Sequence, residues 1–217
     1  MMNRWYSVTD YTDQPVNLPS VTTILRVTMP VNARAKLMTA QAKNPLKYQQ
    51  KSQAAQQRGS AIDAYIKARL TKQPARLCPQ YAKFKQQIDP WLTSLLNSLS
   101  PIWTDQLVYD LDHGYAGTLD LLYNMPGFGI TVVDIKTTAY KIHGEALESA
   151  LLQTAAYYAA WNLNKCALKA TAVAVVFVTP YGLTAEVRNG KPLEQYIQQF
   201  YQRCRRFASA YTAANVS

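Results

Sequence analysis

An α/β fold with a mixed central sheet of about five strands, flanked by helices and preceded by a helical extension, is predicted by three features of this sequence. The first third is rich in Ala, Lys, Met and Gln, which favour helices. From Ile102 the hydrophobic period changes to short β-branched and aromatic runs, broken by Gly, Asn and Asp. A helical pattern then leads into the nearly continuous apolar run 170–179, as expected of a strand buried on both faces.

The chain opens extended. Pro19-Ser-Val-Thr-Thr-Ile-Leu25 joins a proline to β-branched residues and hydroxyls, which suits a short strand or a helix-opening turn. Residues 32–43 form a helix that Asn44-Pro45 stops, because proline pushes the preceding residue out of the α region. A second helix covers 53–70, with Ile62, Ile66 and Leu70 recurring on one face. Pro79 opens a third toward Leu99, and Pro101 ends it. Three consecutive antiparallel strands follow at 102–109, 115–123 and 129–135, turned at Asp112-His-Gly and Asn124-Met-Pro-Gly. A helix over 145–161 carries Leu147, Leu151, Leu152 and Ala155 as its buried stripe. The apolar strand turns at Tyr181-Gly182 into a partner over 183–188, and Gly190-Lys-Pro192 opens a last helix to Tyr211. We expect a single domain over 1–217, with 1–100 mainly helical and 101–217 the α/β core.

A hydrophobic fraction of 48% with 17% charged residues argues for a folded chain. The formal net charge of +10 points to a polyanion or an anionic membrane surface. The 15 tyrosines and 4 tryptophans tilt that choice toward nucleic acid, since exposed rings stack on unpaired bases. Cys78, Cys166 and Cys204 lack the short paired spacing of zinc or iron-sulfur sites, so no such cluster is expected and the thiols are read as free. No apolar run has the length of a membrane span and no secretory h-region opens the chain, so the expected location is the cytoplasm, that of a host cell if the protein is viral.

The chemistry is concentrated in Gly117-Thr-Leu-Asp120 and in Asp134-Ile-Lys136, which closes the run Gly129-Ile-Thr-Val-Val133. Phosphodiester hydrolysis needs an activated water and neutralisation of charge on the phosphoryl and leaving oxygens. Magnesium supplies this with one or two protein carboxylates, and Asp120 and Asp134 are the candidates. The carbonyl of Ile135 is a candidate third ligand. Strand alternation sends Asp134 and Lys136 to one face, where the lysine orients or helps deprotonate the water and stabilises developing charge. The following helix carries Gln153 and Tyr157 on one face.

Taken together, Gly117-Thr-Leu-Asp120, Asp134-Ile-Lys136-Thr-Thr138 and Gln153-Thr-Ala-Ala-Tyr157 resemble the RecB-type branch of the PD-(D/E)XK nucleases. Within that branch, the order of elements and the 19–25 segment are similar to the mitochondrial genome maintenance exonuclease and its phage and bacterial relatives. The resemblance implies a restriction-endonuclease-like core and a magnesium-dependent deoxyribonuclease, with manganese able to substitute, acting as an exonuclease on single-stranded DNA or DNA ends. It implies Asp120 and Asp134 as metal ligands, Lys136 as the catalytic lysine, and Gln153 and Tyr157 positioning the site or the strand. Thr137 and Thr138, and Ser20 with Thr22 and Thr23, become candidates for contacts to nucleic acid, although Ser20 and the threonines equally suit a helix cap.

Two positions depart from the family pattern. Asp63 stands where many relatives place a histidine ligand, and it is either a harder oxygen ligand or a polar residue on an exposed helix face. Asp105 replaces a glutamate at the first strand, where it reaches a metal through water or is simply solvated. The basic residues of the early helices suit solvated faces, or, with Arg58 nearest Asp63, a groove that tracks the strand. Tyr48, Tyr65 and Tyr115 are core or stacking residues, and His113 and His143 are read as turn residues. Partner proteins are not specified by the sequence. A structure-specific endonuclease and a non-catalytic binding module on the same fold are the alternatives.

Overall fold

The computed structural model describes residues 4–98, 102–140, 144–164 and 168–215. Pro101, His143 and Cys166 lie outside the described residues. The extended start is a hairpin of β1 (Trp5–Thr9) and β2 (Pro15–Pro19), antiparallel with Trp5 opposite Pro19. Its turn is built by Asp10, whose Oδ1 accepts from the amides of Thr12 and Gln14 at 2.8 and 2.9 Å. The 19–25 segment is both things its composition suggests. β2 ends at Pro19, Ser20 caps the next helix, and α1 runs over Val21–Val27.

Helix α2 (Val31–Lys43) buries none of its residues. The break at Asn44-Pro45 spans a single residue, because Asn44 also caps α3 (Pro45–Leu70), accepting from the amide of Lys47 at 3.0 Å. α3 therefore begins well before the 53–70 span predicted for it, through a stretch of Lys and Gln without apolar period. A short 3-10 turn at Pro79–Tyr81 leads into α4 (Ala82–Asn97).

The central sheet consists of β3 (Ile102–Asp110), β4 (Tyr115–Met125), β5 (Gly129–Thr137), β6 (Ala172–Thr179) and β7 (Gly182–Asn189), in that spatial order. All neighbours are antiparallel except β5 and β6, which are parallel and joined by the crossover helix α5 (Glu145–Asn164). The sheet is mixed, as predicted. The last helix, α6, spans Gly190–Asn215.

Helices cover both faces of the sheet. Along β6, Ala174, Val176 and Val178 pack with Ile62, Ile66, Ile88 and Leu92 of α3 and α4. On the other face, Val173 joins α5 and α6 residues such as Ala156 and Phe200, while Val175 and Phe177 pack with Ala150 and Leu151. That double burial explains the unbroken apolar run of β6. α5 is itself enclosed between the sheet, α1 and α6, so its burial extends beyond the predicted stripe to Thr154, Ala156, Tyr157, Ala159, Ala160 and Trp161.

One irregularity of the sheet positions the site. Leu119 packs on the α5 face and Leu121 on the α3–α4 face, although residues two apart on a regular strand share a face. The alternation of β4 thus slips at Asp120. The β3–β4 ladder passes from Thr104 opposite Leu121 to Gln106 opposite Leu119 with no registered pair between them. At that point Asp105 has a φ of 53°, in the left-handed region that aspartate tolerates better than most residues. The β4–β5 ladder starts at Leu121 opposite Val133, so the two strands part at Asp120 and Asp134.

Candidate active site

Where β4 and β5 part, a cleft of about 370 Å³ opens between α3 and α5, lined by Asp63, Asp120, Asp134, Lys136, Thr137 and Gln153 among others. Ile135 is in register with Val176 of β6 but has no partner on β4, where its amide donates instead to Asp120 Oδ2 at 2.9 Å. Asp134 and Lys136 point the same way, as alternation requires, and Lys136 Nζ donates to Asp134 Oδ1 at 2.9 Å and to Gln153 Oε1 at 3.1 Å. Gln153 Nε2 donates in turn to the hydroxyl of Tyr157 at 3.0 Å. The four site residues Asp120, Asp134, Lys136 and Gln153 are therefore brought together by two strands and the crossover helix.

Charge is crowded here. Asp134 is 1% exposed, and the Lys136 ammonium lies 2.9 Å from its Oδ1 and 2.7 Å from its Oδ2. Asp120 is half-buried in the cleft lining, and its carboxyl is pushed up to about 7, first by burial and then by the charge of Asp134. Burial alone would lower Lys136, but the charge and hydrogen bond of Asp134, with the charge of Asp120, outweigh it and raise the lysine above its ordinary value. Lys136 is thus held as an ammonium. Burial and the same two carboxylates also hold the Tyr157 phenol well above the usual tyrosine range, fully protonated.

The donor set fits a hard divalent cation: two adjacent carboxylates, Asp120 and Asp134, line one open cleft beside the Lys136 ammonium. Among the described residues no group of three or more His, Cys, Asp or Glu side chains is arranged to hold a metal, so protein carboxylates alone do not complete a coordination sphere. Magnesium keeps several waters and needs only one or two carboxylates.

The remaining predicted residues are dispersed. Asp63 lines the cleft, but its Oδ2 pairs with Lys67 Nζ at 2.8 Å, and Asp105 pairs with the same ammonium at 2.6 Å. Ser20 and Thr23 are buried at the head of α1, where Ser20 Oγ accepts from the amide of Thr23 at 3.0 Å, whereas Thr22 is exposed. Arg58 lies over the Phe84 ring at 5.7 Å with its Nε buried and unbonded. Thr137 lines the cleft, and the amide of Thr138 donates to Val178 O at 3.0 Å. Tyr157 is 5% exposed and sits behind Gln153. Tyr65 and Tyr115 are core residues and Tyr48 is half-buried. His113 occupies the β3–β4 turn, hydrogen-bonded to Asp110 at 2.8 Å and stacked on Tyr201.

The parts played by four further residues, Gly59, Ser60, Gly117 and Lys67, escaped the sequence reading, although Gly117 itself stood in the motif. Gly59 and Ser60 line the cleft from α3, and a Cβ on Gly59 would lie 3.5 Å from Thr137 Oγ1. A glycine inside a helix was the available signal. A Cβ on Gly117 would stand 2.3 Å from Tyr157 Cε1, so the glycine makes room for that ring. Lys67 gave no signal, because its role depends on Asp105 arriving from another element.

A comparison with curated proteins gave no match. The profile of the PD-(D/E)XK nuclease superfamily matches residues 28–217, a span that contains Asp120, Asp134 and Lys136 on the parted strands and Gln153 on the helix behind them; the chain belongs to that superfamily.

Proposed function

We propose that the protein is a magnesium-dependent deoxyribonuclease of the RecB-type branch, with manganese able to substitute, and that it works as one domain in the cytoplasm as an exonuclease on single-stranded DNA or DNA ends during replication, recombination or repair. The observation that carries this reading is the pair of carboxylates Asp120 and Asp134 set beside the Lys136 ammonium in one open cleft. Asp120 and Asp134, with the Ile135 carbonyl, would hold the ion, which supplies Lewis-acid polarisation of the phosphate and an activated water.

The chain's own groups do the rest. Lys136 enters the reaction charged, so it acts as a fixed hydrogen-bond donor to a phosphoryl oxygen and not as the base. Gln153 Oε1 fixes the direction of that ammonium, and Tyr157 fixes Gln153 from behind. Asp120 gives up its proton as the site fills. Thr137 on the cleft wall, exposed Thr22 and the Arg58 guanidinium are the groups offered to the DNA backbone, and the net charge of +10 favours that encounter. Ser20 and Thr23 support Thr22 by fixing the helix start.

The test is digestion of end-labelled linear and closed circular DNA, single- and double-stranded, with and without magnesium. Linear single strands should be degraded and closed circles spared. Asp120→Asn, Asp134→Asn and Lys136→Ala should each lose roughly 100-fold or more in rate while staying folded. Full activity in Lys136→Ala refutes the mechanism, and cutting of closed circles replaces the exonuclease by an endonuclease.

A further inference from the structure

Beside the cleft a second lysine is committed much as Lys136 is. Lys67 lies four residues after Asp63 on α3, and its Nζ stands 2.8 Å from Asp63 Oδ2 and 2.6 Å from Asp105 Oδ1 on β3. Its side chain is only 25% exposed. Burial draws the ammonium down, but its hydrogen bonds to Asp105 and Asp63 more than restore it, so it stays charged. Asp105 reaches it from a left-handed backbone, a conformation that costs on the order of 1 kcal/mol in an L-residue.

The charge balance of the whole centre gives this bridge its meaning. Asp63, Asp120 and Asp134 line the cleft, and Asp105 is tied to it through Lys67. Once Asp120 has given up its proton, two ammonium groups, Lys136 and Lys67, stand against these four carboxylates, which leaves an excess of two negative charges. One divalent ion cancels the excess. Two would leave the centre as strongly positive as it is now negative. The two carboxylate pairs also differ in placement: Asp120 and Asp134 both line the cleft, whereas Asp105 does not, and Asp63 and Asp105 are both taken up by Lys67.

We propose that Lys67 is the built-in second cation of this centre: it occupies the gap between Asp63 and Asp105, so the protein takes one divalent ion, held by Asp120 and Asp134, and not two. This rests on the assignment of Asp120 and Asp134 as the ion's ligands. It makes Lys67 a determinant of metal stoichiometry, and it predicts a latent second site that the ammonium keeps closed. Lysine suits the task because its compact charge carries three donors, enough to bridge two carboxylates.

Manganese binding to the full-length protein, without nucleic acid, tests this by counting bound ions from the electron paramagnetic resonance signal of the free ion. The wild type should bind one ion, Lys67→Arg one, and Lys67→Gln two. Asp105→Asn should still bind one, and Asp134→Asn should lose it. Two ions on the wild type, or one on a Lys67→Gln protein whose circular dichroism matches the wild type, overturns the proposal. If Lys67→Gln does not fold, Lys67→Met takes its place, with two ions expected and one ion on the folded variant overturning the proposal. No ion on the wild type removes the Asp120–Asp134 assignment as well, whereas a single ion on both wild type and folded Lys67→Gln removes only the role of Lys67.

Discussion

Replacing Asp120 by asparagine should make the metal-free protein more stable at alkaline pH while abolishing its chemistry. The asparagine oxygen can still accept from the amide of Ile135, so the geometry survives and the charge beside Asp134 disappears. The carboxyl is raised from 3.8 to about 7, roughly three pH units, and at about 1.4 kcal/mol per unit the upper bound is about 4 kcal/mol. Solvent in the cleft and the sharing of charge with Asp134 reduce this to about 2 kcal/mol. The sign follows from the direction: with the folded value above the unfolded one, Asp120's contribution is fully present below about pH 4 and is lost as pH rises through about 7. Urea unfolding in the presence of a chelator should therefore give wild type and Asp120→Asn nearly equal stability at pH 4 and a variant about 2 kcal/mol more stable at pH 8. Saturating magnesium should reverse the order, since an ion at 100 times its dissociation constant adds about 2.7 kcal/mol to the form that binds it. An equal gap at both pH values, or a more stable wild type at pH 8 without metal, refutes the account of the buried carboxylate pair.

Gly117→Ala should cost about 1–3 kcal/mol by overpacking against Tyr157, and Tyr157→Leu should relieve part of that loss in a double-mutant cycle read by thermal unfolding. Ser20→Ala removes the α1 cap and should lower stability by about 1 kcal/mol in urea. Asp89 pairs with Lys85 and with Arg69, and accepts from the Tyr65 hydroxyl at 2.5 Å. Burial alone would raise its carboxyl, but the hydrogen bonds from Lys85 and Tyr65 lower it, so its contribution is present above the ordinary carboxylate value and lost as pH falls through the lowered one. Asp89→Asn should therefore cost about 1 kcal/mol at pH 7 and nothing near pH 2, measured by urea unfolding.

The parts of the fold legible in the sequence are those where burial imposes a period. β3, β4 and β5 showed themselves through β-branched runs and polar turns, and β6 through its apolar continuity. The β1–β2 hairpin stayed hidden because prolines stand at both ends of β2 and the turn is closed by the side chain of Asp10. The first half of α3 stayed hidden because it buries nothing, so no apolar stripe marks it. In the site, Asp134, Lys136 and Gln153 were readable because strand alternation and a helix following the strand suffice to assemble them. The pairing of Asp63 and Asp105 through Lys67 was not readable. It arises where the alternation of β4 slips at Asp120, and a slip in phase has no signature in a list of residue types.

The contact between Gly117 and Tyr157 sets the angular phase of α5. A helix turns about 100° per residue, so moving the chain by one position along its axis would swing Gln153 away from Lys136. With no side chain at 117, the Tyr157 ring has a slot on β4 that would accept it in only one rotation. The glycine three residues before Asp120 thus acts as a detent: it keys the crossover helix to the sheet and so determines which residue of α5 meets Lys136.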